Sequence, residues 1–176
     1  MPCPTLIVSG NPRPNSTTLD VATRATRALG EAAGVDLDIS VLELSDITDT
    51  LLTWQHPDAE SARRRVADAQ LVVVATPSYK GTYTGLLKAF LDGYGPASLA
   101  GTIAVPVAVA GSPVHAYSTP LHTSTLLGEV GALTPFAGLG VMESVARDES
   151  ALDGAIDAWV SRHEPILPVV SAAASA

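Results

Sequence analysis

Short apolar runs alternate along the chain with stretches whose apolar positions recur at helical spacing. Thr5–Ser9 is a continuous apolar run closed by Gly10-Asn11-Pro12. In Thr18–Ala33, Leu19, Ala22, Ala25/Thr26 and Leu29 fall one turn apart, Val21 lies beside that stripe, and Gly34 follows, which predicts a helix. From Val35 to Leu44 the pattern changes to strict alternation. Val35, Leu37, Ile39 and Val41 point one way, with Asp36, Asp38 and Ser40 between them, as in a half-exposed strand at a sheet edge. Ser45–Pro57 reads as a long polar loop carrying Trp54, and Pro57–Ala69 as a helix. Leu71–Thr76 is a buried strand stopped by Pro77, and Thr84–Gly93 is helical. Ile103–Ala110 is a second buried strand, although Pro106 argues against a fully paired central position. Thr119–Val130 predicts a helix, Pro135–Met142 a fifth strand, and Asp148–His163 a last helix built on Leu152, Ile156, Trp159 and Val160. Ser171–Ala176 is a tail of small residues, expected to be disordered.

Five strands alternating with helices predict an α/β fold, one domain over residues 1–170, with a parallel sheet covered on both faces. Ligands of such sheets sit outside the carboxyl ends of the strands. That directs attention to three loops: Ser9–Ser16, Pro77–Tyr83 and Ala110–His115.

Composition narrows the function classes. The 176 residues are 47% hydrophobic but only 5% aromatic, so the core is built from Ala, Val and Leu. A formal net charge of −8 speaks against nucleic acid and anionic membranes as partners. It leaves room for a small anion held by local amides. The single Cys3 permits no intrachain disulfide and no multi-cysteine metal site. The longest apolar runs fall short of the roughly 18 residues that span a bilayer. Met1-Pro2-Cys3-Pro4 lacks the charged and apolar stretches of a signal peptide, so a cytoplasmic location is expected.

The first loop, Ser9-Gly10-Asn11-Pro12-Arg13-Pro14-Asn15-Ser16-Thr17-Thr18, joins a buried strand to a helix. A helix start offers unpaired amides and a partial positive charge. Hydroxyls of Ser9, Ser16, Thr17 and Thr18 add donors and Arg13 adds a full charge, so a phosphate fits. The loop matches neither the P-loop nor the dinucleotide glycine pattern. The same residues also suit a plain helix cap by Asn15 or Ser16.

In the second loop, Pro77 ends the strand, Gly81 permits close backbone approach, and Tyr79 and Tyr83 offer rings and hydroxyls. Lys80, one of two lysines, can stabilise negative charge developing on a nearby ring system. An ordinary strand-to-helix turn with a solvated lysine remains the alternative. In the third loop, Gly111 again permits close approach and Ser112 can bond a heterocycle edge, while His115 suits a ligand contact, an interface or a structural role. His56 and His163 read as background, and the spacing of His115 and His122 does not suit a metal.

Together these residues resemble a known family. Ser9-Gly10-Asn11-Pro12-Arg13 with Asn15-Ser16 looks like the phosphate loop of the NADPH-dependent FMN reductases. Pro77-Ser78-Tyr79-Lys80, followed by Thr84-Gly85-Leu86-Leu87-Lys88 and Asp92, is similar to that family's second motif, with Thr84 where the family has Ser. Ala110-Gly111-Ser112 with His115 is similar to its third, with Ala110 in place of a glycine. The likeness spans about Thr5–Leu167, and within the family it is to the reductases that supply reduced flavin to alkanesulfonate-type monooxygenases.

The resemblance implies a flavodoxin-like three-layer sandwich with strand order 2-1-3-4-5. It implies that Ser9, Arg13, Ser16 and Thr18, with Asn15 and Thr17 beside them, hold the FMN phosphate. Pro77, Ser78, Tyr79 and Lys80, with Tyr83, would line the isoalloxazine, and Gly111, Ser112 and His115 would close its other edge. The implied reaction is NAD(P)H + FMN + H⁺ → NAD(P)⁺ + FMNH₂, with Lys80 stabilising reduced flavin. No motif separates NADPH from NADH. Alternatives are a quinone, azo-dye or nitro reductase, a flavodoxin-like electron carrier, and a flavin-binding partner without turnover. Trp54, Tyr83, Tyr94 and Tyr117, conspicuous in an aromatic-poor chain, point to a homodimer or homotetramer.

Overall fold

The computed structural model describes residues 2–53 and 55–174; the expectation for Trp54 therefore lies outside the described residues. Five parallel strands form one sheet in the order β2-β1-β3-β4-β5. They are β1 (Cys3–Ser9), β2 (Leu37–Glu43), β3 (Leu71–Pro77), β4 (Ile103–Ala110) and β5 (Leu139–Met142). This is the flavodoxin-like α/β arrangement, with the strand order reversing at β1/β3.

Period-two alternation divides the apolar residues between two cores. Ile7, Val73, Val105 and Val107 pack beneath α1 (Thr17–Ala33), α6 (Glu149–Arg162) and α7 (Pro168–Ala173). Leu6, Val8, Val72, Val74 and Ala104 pack beneath α2 (Pro57–Ala67), α3 (Gly85–Leu91) and the end of α4 (Pro113–Glu129). β1, β3 and β4 are buried on both faces, which is why they read as continuous apolar runs. β2 is the edge strand its alternation predicts.

Several boundaries differ from the sequence reading for identifiable reasons. α4 begins at Pro113, six residues before Thr119, because Ser112 caps it by accepting from the His115 amide and Pro113 suits the first helical position. Part of the expected polar loop after β2 winds into 3-10 turns over Leu44–Thr50. β5 is only four residues long, and α5 (Glu143–Ala146) follows it directly. Ser171, Ala172 and Ala173 are not tail: they finish α7, which Pro168 starts and which buries Val170 and Ala173. Ser175 and Ala176 lie outside the described residues.

Pro106 does stand in a strand flanked on both sides. The Ala104 amide donates to Leu133 on the β5 side, and a period of two turns position 106 to the same side. The β4/β5 ladder starts only at Val107–Leu139, so the donor that proline lacks would have fallen in the gap.

His163, away from the candidate loops, has a structural role. The Ala137 amide donates to its Nε2 at 3.0 Å, so Nδ1 carries the proton and donates to the Trp159 carbonyl at 2.8 Å. Trp159 Nε1 donates to the Ala137 carbonyl at 2.7 Å. Trp159 on α6 and His163 at its C-cap together fix the segment that leads into β5.

Candidate functional site

The carboxyl ends of all five strands lie at one end of the sheet. Register places Glu43 beside Ser9, and Ser9 beside Ala75. The three loops singled out in the sequence leave from this end.

In the first loop, Ser9 shares the sheet face of Ile7, beneath α1, with 0% exposure. Its Oγ is buried with no hydrogen-bond partner among the described residues. Gly10 lets the chain pass against α3: a Cβ there would lie 2.9 Å from that of Leu87. Asn11 shapes the turn, its Oδ1 accepting from the Arg13 amide at 3.0 Å and its Nδ2 donating to Thr18 Oγ1 at 3.2 Å. Ser16 caps α1 by accepting from the Leu19 amide. Arg13, Asn15 and Thr17 are exposed and Thr18 is buried. The first amides of α1, those of Thr17 and Thr18, have no acceptor within the helix.

The second loop is a tight hairpin. Tyr79 and Thr82 exchange backbone bonds, Tyr79 N–H to Thr82 O at 2.9 Å and the return bond at 3.4 Å. Lys80 and Gly81 form its tip with φ of 56° and 85°, as a type I′ turn requires. Left-handed backbone is unfavourable for lysine by roughly 1–2 kcal/mol. The hairpin fixes Lys80 at the tip all the same, with Tyr79 and Lys80 exposed and Pro77, Ser78 and Tyr83 half-buried.

The third segment proves to be the start of α4. Gly111 is exposed, Ser112 is the cap, and His115 packs on the hairpin: a Cβ on Gly81 would lie 3.3 Å from its Nε2. His115 opens a polar stripe at helical spacing. Ser118 Oγ donates to the Gly81 carbonyl at 3.5 Å, Thr119 Oγ1 to Ser78 Oγ at 2.9 Å, and His122 Nδ1 meets Thr82 Oγ1 at 3.2 Å. Ala110 is 1% exposed, so its methyl group adds no surface at the mouth.

Thr84 ties the first two loops together. Its hydroxyl donates to the Gly10 carbonyl at 2.6 Å and accepts from the Leu87 amide at 3.1 Å, capping α3. Its own amide donates to Thr76 Oγ1 at 3.1 Å. The sequence marked this hydroxyl but not its part in the site. It also missed Ser118, Thr119 and His122; their spacing was visible, but the hairpin they grip lies about forty residues upstream. Lys88, by contrast, pairs with Asp92 on the outer side of α3.

The polypeptide offers little redox or nucleophilic chemistry of its own. Cys3 is buried in β1, and burial pushes its thiol up from the ordinary value. Among the described residues, no group of three or more His, Cys, Asp or Glu is placed to hold a metal ion. No helix among them is long and apolar enough to cross a membrane.

A doubly wound α/β sheet whose strands end at an amide-rich helix start is the arrangement in which nucleotide-binding α/β proteins hold their ligands. The comparisons with known proteins specify it. Residues 4–145 match the family model described as NADPH-dependent FMN reductase, and the chain belongs to that family. It is 32% identical over 120 residues to an FMN reductase (NADPH) of Pseudomonas aeruginosa, covering 65% of this chain and 63% of that protein. It is 26% identical over 113 residues to an FMN reductase (NADPH) of Escherichia coli, covering 62% of this chain and 58% of that one. The chain thus spans about three fifths of these curated relatives. Among solved structures it superposes on the apo form of an NADH:FMN oxidoreductase with a TM-score of 0.72 and 29% identity, over 91% of this chain and 89% of that one.

Proposed function

We propose that the protein is an NAD(P)H:FMN oxidoreductase, taking FMN together with NADPH or NADH, and that it supplies reduced FMN to a flavin-dependent monooxygenase. The observation that carries this reading is the Ser9 hydroxyl, buried and without a partner among the described residues, at the end of the strand whose loop leads into α1. A buried hydroxyl with no partner costs about 1–3 kcal/mol, and a phosphate at this loop would supply one. Ser9, Ser16, Thr17, Thr18 and Arg13 give that phosphate hydroxyls, amides and one positive charge. The Asn15 amide lies in the same turn, where it donates to the Glu43 carboxylate.

The isoalloxazine would lie against Pro77, Ser78, Tyr79 and Lys80, with Tyr83 behind them and Gly111, Ser112 and His115 at the far edge. When bound, the flavin supplies the hydride-accepting chemistry. The chain then has to orient rings and hold charge, with no nucleophile or general acid required. Lys80, fixed at the hairpin tip, is the cation available to reduced flavin. The polar stripe of α4 holds that tip in place. An exposed stretch from Pro12 to Asn15 leaves the phosphate seat open, which suits a flavin that leaves after reduction.

The test is steady-state oxidation of NADPH and NADH by the purified protein, with and without added FMN. FMN-dependent turnover is expected. No turnover with either nicotinamide, while FMN still binds, would replace the enzyme reading by a carrier or binding protein.

A further inference from the structure

Glu43 ends β2 directly beside Ser9. Its two carboxylate oxygens accept from the Asn15 amide at 3.2 and 3.1 Å. Asn15, with φ of 51°, immediately precedes the cap of α1. Amides at this end of a helix favour anions. The chain has placed one of its own there.

The loop has other ties besides that contact. Asn11 braces it from both sides and Ser16 caps the helix independently. Among the described residues Glu43 has no ion-pair partner, and neither has Arg13. The carboxylate is therefore held at the seat by a backbone amide and not by a basic side chain.

We infer that Glu43 is a built-in competitor for the phosphate seat, lowering affinity for phosphorylated flavin in particular. This rests on the function proposed above. An incoming phosphate monoester must displace the carboxylate from the Asn15 amide or lie beside it, and two like charges sharing one site repel. Riboflavin has no phosphate and meets no such obstacle. The competitor is tethered by the strand register, so dilution does not remove it. Glu43 thus narrows the gap between FMN and riboflavin and keeps FMN exchangeable.

The test measures quenching of flavin fluorescence on full-length wild type, E43Q and E43A at low salt. The FMN dissociation constant should fall roughly tenfold in both variants, the scale of one charge contact. That of riboflavin should stay within about twofold, near the coupling of an exposed charge pair, and the FMN gain should shrink as salt is added. FMN binding unchanged or weaker in the variants overturns the inference, since Glu43 would then be holding the loop. A gain in E43A without one in E43Q overturns it too, because the obstacle would be bulk rather than charge. Equal gains for FMN and riboflavin also overturn it. If neither wild type nor variants bind either flavin, the proposed function itself fails.

Discussion

The Thr84 hydroxyl is buried where the first two loops meet. Thr84 joins the first loop to the second and starts α3, with three hydrogen bonds at 2.6 to 3.1 Å. Thr84→Val keeps the shape but strands the Gly10 carbonyl and the Leu87 amide. A loss of about 1–3 kcal/mol is expected in urea denaturation, together with weaker FMN binding. Thr84→Ser should retain most of both. A valine variant as stable as wild type would show that water replaces the lost partners. Individual residue types in the site were legible because their chemistry is local: a serine before a helix, a glycine at a turn. Their partners were not. No sequence pattern says that the Thr84 hydroxyl meets Gly10, or that the Glu43 carboxylate meets Asn15, because both contacts are made by strand order.

At the level of elements, the strands were legible because burial on two faces leaves continuous apolar runs, and the helices because apolar spacing shows. What escaped was the start of α4, where a capping serine and a first-turn proline look the same in sequence as the end of a strand. The proline further along α4 has its own structural partner. Pro120 has no amide to bond the Ala116 carbonyl four residues back. That carbonyl turns against β5, where a Cβ on Gly140 would lie 1.7 Å from it. Gly140→Ala must therefore push α4 off β5. We expect a loss of at least about 3 kcal/mol, or failure to fold, read as a lowered denaturation midpoint. A variant of unchanged midpoint would mean that α4 shifts freely on the sheet. Because the stripe of α4 also holds the Ser78–Thr82 hairpin, a mild variant should disturb flavin binding as well.

For the whole molecule, the aromatic residues that suggested self-association divide unequally. Tyr94 packs edge-on against Phe90 and donates to the Arg63 carbonyl, and Tyr83 packs in the same core, so both are anchors of the fold itself. Burial accordingly pushes the Tyr94 phenol well up. Tyr117 is different: it is 75% exposed, with Val114 and Leu121 exposed on the same helix. Tyr117 and Leu121 border a groove of about 510 Å³ that runs between α4, β5 and α6 to Trp159. We propose that this face joins copies into a homodimer or homotetramer. Light scattering should give a mass of two or four chains, and the double variant Tyr117→Ser/Leu121→Ser should give one. A monomeric wild type at working concentration refutes it. The opposite edge of the molecule is built to stay single. The outermost strand, β2, interleaves Asp38 and Ser40 with its apolar residues, and Arg65 on α2 donates to the Val41 carbonyl at 3.1 Å. A strand edge charged and occupied in this way is a poor template for another chain's backbone. Strand-to-strand growth from the β2 edge is thereby disfavoured, whatever the helix faces do.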